Sequence, residues 1–463
     1  MADLPDLEQL KSQIGSQCVS TSPDDVARHS YDAWPVAAKW KSQGKTPMRP
    51  DAVVRPQRRK DVSKVLKWAS EKGVPVTPWG AGSAVTGAPL SAQGGLSLDL
   101  SQLIATIEIN NTNHTVRVEA GKRGDTLEHE LNAKGFTLNH SPQSLGRSTV
   151  GGWLATRSSG QFSSRWGSIE DLCQSFTIAL PNGDLVPFPS VPRASAGPDL
   201  RHLFLGSEGV LGVILDVTLR IFEIPETRVY ETLRFDKLEH GLDTLRRIMQ
   251  SGLRPFLLRL YDSDEAPHAV KDATMTQPLL FIGCEGFKAI ADAELKVCQQ
   301  LGAKVQAERC GGGAVEAWME RRFDFSAVEE ILNTPGGFAE TIEIASGWDR
   351  IHLVYRDMKQ ALSPLADEVF GHFSHAYTHG TSLYLILLGS CADDDAAEKR
   401  LLKIWDIAMR RCLACGAAIS HHHGVGYARR KFIQPYWGQA FEILKEIKRA
   451  VDPNGIMNPG KFV

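Results

Sequence analysis

The sequence predicts an α+β fold of two or three domains, and three observations carry that prediction. Helix-type and strand-type periodicities interleave along the whole chain. A length of 463 residues exceeds what one hydrophobic core supports. The pattern also changes near Pro225, from strands separated by glycine-rich loops to two strand–helix–strand units that read as a ferredoxin-like plate. The expected division is a helical lead-in over residues 1–45, a first α+β domain over 46–225, a second domain over 226–415, and a C-terminal segment over 416–463.

In the first domain, residues 51–55 read as a strand and 61–72 as a helix with Val62, Val65, Leu66 and Ala69 on one face. Gly73 closes that helix, and the strand 74–77 runs into a glycine-rich loop. Residues 95–99 and 115–119 are further strands, and 126–134 is a short helix ended by Gly135. The runs 175–180 and 185–188 flank Pro181-Asn182-Gly183-Asp184, a strong hairpin signal, and 213–221 is β-rich. In the second domain, strand 230–234, helix 238–251 and strand 255–260 are followed by strand 278–282, helix 288–301 and strand 303–306. Residues 382–388 read as a buried strand, 396–415 as a long helix and 441–451 as a shorter one. The tail from 452 is rich in turn formers yet ends in Phe462 and Val463, so it is expected to pack.

Composition narrows the function classes. The formal net charge of −2 offers no basic face for nucleic acid. No run of about 18 apolar residues exists, which predicts no transmembrane segment. Residues 1–10 lack a basic start and an apolar core, so no signal peptide is expected. The eight cysteines lack framework spacing, which fits a reducing, cytoplasmic location. Cys412-x-x-Cys415 has no second pair to complete a zinc site and reads as buried structural thiol.

Two stretches carry the chemistry. Ser420-His421-His422-His423-Gly424-Val425-Gly426 holds three consecutive imidazoles, suited to proton handling, anion binding or metal ligation, and its glycines allow close backbone approach to a bulky ligand. Pro78-Trp79-Gly80-Ala81-Gly82-Ser83-Ala84-Val85-Thr86-Gly87 follows a strand. A Rossmann fingerprint needs glycine where Val85 stands, and a helix after it; Ala88-Pro89-Leu90 cannot start one. A loop nest of backbone N–H groups around a diphosphate still fits, as does an ordinary glycine turn. Two further segments, around Ser148-Thr149-Val150-Gly151-Gly152 and Gly206-Ser207-Glu208-Gly209-Val210-Leu211-Gly212, have the small-residue composition of backbone laid against a flat polar cofactor.

These motifs, in this order, together with Gly167-Ser168-Ile169-Glu170-Asp171 and a C-terminal Asp452-Pro453-Asn454-Gly455-Ile456, resemble the vanillyl-alcohol-oxidase (PCMH-type) FAD-binding superfamily from about residue 49 onward. The resemblance implies a two-subdomain FAD-binding domain, a substrate cap and bound FAD. It implies flavin contacts from Pro78 to Ala84, from Gln143-Ser144-Leu145-Gly146-Arg147-Ser148-Thr149, from Thr156-Arg157-Ser158-Ser159, and from Glu208-Gly209-Val210-Leu211-Gly212-Val213-Ile214. Relatives with tethered flavin use a His or Tyr near these loops; residues 80–87 contain neither, so the FAD is expected to be non-covalent.

Within that superfamily the chain is most similar to the alkyldihydroxyacetonephosphate synthase family. The histidine triplet, Asn139-His140-Ser141-Pro142, Leu258-Arg259-Leu260, Trp348-Asp349-Arg350 and Thr381-Ser382-Leu383-Tyr384 carry that likeness. It implies catalytic roles for Tyr384, His421, His422, His423 and His140, with Arg350 binding a phosphate and Arg259 a further substrate group. The implied chemistry occurs at flavin N5, on a small anionic, phosphorylated keto or hydroxy substrate, with a fatty alcohol as second reactant. A dehydrogenase of a 2-hydroxy acid or small alcohol, feeding an electron acceptor, is the alternative. A homodimer is compatible with the resemblance. The metal-dependent dehydrogenase branch carries ligands where this chain has Tyr377, Tyr384 and His422, a poor divalent set, so no metal is expected. His375 and His379 match no role and read as structural.

Overall fold

A computed structural model describes residues 7–463, and residues 1–6 of the expected lead-in lie outside the described residues. The lead-in is helical at Glu8–Ile14, Pro23–Arg28 and Pro35–Ser42, but it also contributes a strand, Val19–Ser20. That strand opens a four-stranded sheet in the order Val19–Ser20, Ala52–Val54, Leu96–Asp99, Val76–Trp79, parallel except at its first pair. The helix Arg59–Lys72 buries Val62, Val65, Leu66, Trp68 and Ala69 against it, and Gly73 ends it at φ 65°, a left-handed conformation that glycine adopts without strain.

A second, antiparallel sheet orders Thr106–Asn110, Thr115–Glu119, Val213–Arg220, Cys173–Ala179 and Leu185–Pro187. Ala179 pairs with Leu185 across the predicted Pro-Asn-Gly-Asp turn. Both sheets share one hydrophobic core, to which the C-terminal Ile456, Met457 and Phe462 belong. The tail packs, as its apolar end requires.

Apart from a two-stranded pairing of Phe136–Thr137 with Phe222–Glu223, the remaining strands form one seven-stranded antiparallel sheet. Its first four, in the order Glu308–Arg309, Thr227–Arg234, Leu279–Gly286, Leu257–Tyr261, follow the 4-1-3-2 arrangement of a ferredoxin-like unit, as the two strand–helix–strand repeats predict. The predicted strand at 303–306 is instead the end of helix Lys288–Ala303 and a turn, which leaves only two residues of strand. The sheet then continues through Glu368–Phe373, Gly380–Ser390 and Gly337–Gly347, with helix Ile351–Leu362 between the last-named strand and the first. This half repeats the unit in mirrored order, 2-3-1, and Ala418 bridges Ala345 at the fourth position. The histidine segment therefore leaves the sheet just where it can fold over the sheet's central strands.

Candidate active site

Strand register assembles the site's floor. Glu343 lies opposite Tyr384, Tyr384 opposite His372, and His372 opposite Tyr261, on four adjacent strands. Directly opposed residues share a face, and Arg259 shares it too, two positions before Tyr261. A polar row therefore crosses a sheet whose other face is aliphatic (Leu258, Leu260, Leu383, Leu385).

The histidine turn sits on this row because Glu343 holds it there. Glu343 is fully buried and accepts the backbone N–H of His421, that of His422 at 3.3 Å and that of His423 at 3.0 Å, besides the Ser420 hydroxyl at 2.9 Å. Arg429, also fully buried, donates to it at 2.7 Å. Burial alone raises the Glu343 pKa, but Arg429 and the imidazoles outweigh it and bring the carboxyl down to about 2. A second buried carboxylate holds the other end of the turn: Glu208 accepts Val425 N–H at 2.5 Å and Gly426 N–H at 2.8 Å, and burial pushes it up to about 7. The glycines after the histidines thus admit protein rather than ligand. A Cβ on Gly424 would stand 2.3 Å from the Glu208 carboxylate, and one on Gly426 would stand 2.4 Å from Thr86.

Four rings meet above the row. Tyr384 Oη lies 2.5 Å from His422 Nε2 and 3.4 Å from His423 Nε2. His422 Nδ1 lies 2.7 Å from His421 Nδ1, whose Nε2 is 2.7 Å from Tyr377 Oη. His375 stacks on His421 with centroids 5.0 Å apart and is tied by Nδ1 to Ser163 at 2.7 Å. Desolvation holds His421 and His423 down to about 4 and His422 and His375 well below their ordinary value, so all four are neutral imidazoles near pH 7. The same burial pushes the Tyr384 phenol far up and Tyr377 up to about 12.

A cavity of about 1850 Å³ opens onto Tyr384, His422, His423, His372 and Arg259. It exceeds the roughly 300–1,000 Å³ of an ordinary small-ligand pocket and has room for a dinucleotide together with a substrate. All of Pro78 to Ala84 line it. Among the described residues, no N–H from 80 to 85 donates to protein backbone, so these donors are free for a ligand. Side chains at Gly80 and Gly82 would strike Thr149 at 2.5 Å and Trp79 at 2.4 Å, so the chain passes too close there for any residue but glycine. This is the nest chemistry that a diphosphate needs, and FAD fits the residues present.

The other predicted contacts divide. Gln143, Ser144, Arg147, Ser148 and Thr149 line the cavity; Leu145 and Gly146 do not. Thr156, Ser158 and Ser159 line it, whereas Arg157 turns outward to Glu170 at 2.9 Å. Glu208, Gly209, Gly212, Val213 and Ile214 line it, while Val210 and Leu211 are core. His140 is off the wall: it sits behind Ser158, which its Nε2 contacts at 2.9 Å, and against Trp153. The structure also does not bring Arg350 to the cluster. It stands at the start of helix Ile351–Leu362, its side chain is 61% exposed, and its carboxylate neighbour is Asp349 at 3.6 Å. Arg259 takes the cavity position instead. Its guanidinium lies between the rings of Tyr261 and Trp318, at 5.1 and 5.4 Å, and its buried Nε has no hydrogen-bond partner.

Sequence reasoning missed Glu343, Arg429, Glu265 and His372, and it read His375 as structural. Glu265 accepts from His372 Nδ1 at 2.7 Å, and the His372 ring stacks on Tyr384 at 4.7 Å. The available signal was the pair of acids, Glu340 and Glu343, in the otherwise largely apolar strand 337–347, buried carboxyls that each demand a partner.

The fold and this cavity define an FAD-dependent enzyme, and sequence comparison agrees. The pattern of a family described as FAD linked oxidases, C-terminal domain, matches residues 224–462, and that of an FAD binding domain matches residues 50–188. The chain belongs to the FAD-linked oxidases. An uncharacterized FAD-linked oxidoreductase, YgcU, of Escherichia coli O157:H7 is 31% identical over 98% of this chain and 97% of its own length. Alkyldihydroxyacetonephosphate synthase of Caenorhabditis elegans is 30% identical over 91% of this chain and 77% of its own length. A solved alkyldihydroxyacetonephosphate synthase superposes with a TM-score of 0.82 at 23% identity, over 98% of this chain and 84% of that one, a likeness of fold. No helix of the described residues is long and apolar enough to cross a membrane.

Proposed function

We propose that this flavoenzyme is an alkylglycerone-phosphate synthase-like transferase acting on a small anionic, phosphorylated keto substrate with a fatty alcohol as co-substrate. The observation that carries the reading is the pairing, on one wall, of Arg259 with the Tyr384–His422 contact. A guanidinium held between two rings, with one N–H unmet, suits a planar or tetrahedral oxyanion. Arg321 and Arg322 line the same cavity and, among the described residues, donate only to the backbone carbonyls of Ala269 and Met319, whereas Arg259 also has Glu265 at 3.8 Å, a carboxylate that an anionic substrate would compete with. Bound FAD supplies a ring that accepts a hydride or a carbon nucleophile. Tyr384 serves as the acid or base at the substrate carbon. Its phenol proton is exchanged with His422, whose burial-lowered pKa keeps it neutral and able to accept. The roles of His423 and Glu343 are to position that phenol and the turn.

Competition tests the substrate class. Inorganic phosphate and glycerol phosphates should protect the flavin environment or inhibit turnover, and Arg259→Lys should weaken both effects because an ammonium cannot reproduce the guanidinium fork. Competition by simple carboxylates alone, with none by any phosphate, would favour the 2-hydroxy-acid dehydrogenase.

A further inference from the structure

Four groups drawn from two distant segments form one unbroken hydrogen-bonded line. It runs Tyr384 Oη to His422 Nε2 at 2.5 Å, His422 Nδ1 to His421 Nδ1 at 2.7 Å, and His421 Nε2 to Tyr377 Oη at 2.7 Å. Tyr384 and His422 face the cavity; His421 and Tyr377 are not part of its wall. Tyr377 is half-buried and is followed directly by exposed Thr378 and His379. The line thus starts at the reacting end of the cavity and finishes on the other side of the histidine turn, at the half-buried Tyr377 phenol beside Ser159 and Ser168, one residue before the exposed Thr378 and His379.

We propose that Tyr384, His422, His421 and Tyr377 are a proton relay joining the cavity to bulk water. The relay rests on the acid/base reading of Tyr384 given above. Its proton count closes with every member neutral. When Tyr384 gives its proton to the substrate, its oxygen takes one from His422 Nε2, His422 Nδ1 takes one from His421 Nδ1, His421 Nε2 takes one from Tyr377, and Tyr377 takes one from water. The reverse order exports a proton. Each imidazole exchanges one neutral tautomer for the other, and no charge rests in the low-dielectric interior, where it would be costly. Burial favours the neutral form of all four groups. Glu343 fixes the two imidazoles through their backbone N–H groups and leaves their ring nitrogens to the line.

The same nitrogens could suggest a metal site, since ring nitrogens of His375, His421 and His422 lie within 4.8 Å of one another. The Nδ1 pair at the middle of the line is not spaced as two zinc ligands. Two imidazoles on one tetrahedral zinc, at bonds of about 2.0–2.1 Å, hold their nitrogens about 3.3 Å apart. The His421–His422 separation of 2.7 Å is that of a hydrogen bond. Each outer nitrogen of this pair also meets a phenol, as a relay requires.

Tyr377→Phe in the FAD-loaded protein is the test, because it removes one O–H and keeps the ring. The expected result is an unchanged flavin spectrum and KM, with kcat lowered on the order of tenfold, below the full loss of a direct proton donor because cavity water can still reach Tyr384. The solvent deuterium isotope effect should grow, and high concentrations of a small buffer acid should restore the rate. In wild-type protein with labelled histidine, far-downfield imidazole N–H signals should be seen, one of them shifted in Tyr377→Phe. Wild-type kcat and isotope effect in the variant would overturn the relay, and so would a rate loss that buffer does not rescue. Tyr384→Phe separates the two claims. Full activity there would refute the acid/base reading itself, whereas its inactivity beside an unaffected Tyr377→Phe would refute the relay alone.

Discussion

Replacing Glu343 by glutamine tests how the site is held. The carboxylate is fully buried, carries the N–H groups of three successive histidines and faces a fully buried Arg429. Two routes give the magnitude. Its pKa falls from 4.5 to about 2, and at 1.36 kcal/mol per unit that is worth about 3 kcal/mol of stability near neutral pH. Removing one member of a buried ion pair costs about 3–5 kcal/mol because the other charge is left bare. The sign is that of a depressed carboxyl. The contribution is present above pH 4.5 and is lost as pH falls through about 2. The assay is urea unfolding at pH 7, where Glu343→Gln should lower the midpoint at an unchanged slope. The double variant Glu343→Gln/Arg429→Met should be less destabilised than the single one, since neither charge is then stranded. A single variant within about 1 kcal/mol of wild type, or a double variant showing simple additivity, would refute this account of the turn.

Further outcomes follow from the same geometry. Tyr384→Phe should keep FAD bound and lose about 10²–10⁴-fold of turnover, and near-normal turnover would make the phenol a packing group. Arg259→Lys should raise the substrate KM while Arg350→Ala leaves it unchanged; the opposite pattern would restore the phosphate role expected of Arg350 from sequence. Stability should fall as pH drops from 6.5 toward about 4, because the unfolded chain protonates His421 and His423 while the folded one keeps them neutral. His421→Asn should flatten that slope in a pH series of melting curves, and an unaltered slope would refute the burial argument. Heat or acid should release intact FAD from the precipitate, and exhaustive chelation should leave activity intact. Flavin that stays with the precipitate, or activity lost on chelation and regained with zinc or manganese, would contradict these two expectations.

The cofactor loops were legible because their signal is local. Glycines that would clash if given a Cβ, such as Gly80 and Gly82, are visible as glycines. So were the tail's packing and the 4-1-3-2 half of the cap, whose strands and helices alternate in sequence. The floor of the candidate site was not. Glu343, Tyr384, His372 and Tyr261 meet only through the register of four strands drawn from residues 257 to 390, and no spacing along the chain encodes that pairing. Arg350 shows the converse. A motif can match while its side chain, placed at a helix start, points to solvent. His375 read as structural because its partners, Ser163 and His421, lie more than forty residues away on either side.

The most direct test of the account is an anaerobic titration of the FAD-loaded protein followed by its visible spectrum. An acyl keto-sugar phosphate with a fatty alcohol should exchange acyl for alkoxy while the flavin ends each turnover oxidised, and 2-hydroxy acids should leave the spectrum unchanged. Stoichiometric bleaching by a 2-hydroxy acid or simple alcohol, with no exchange on the phosphate ester, would contradict the transferase reading and make the protein a dehydrogenase.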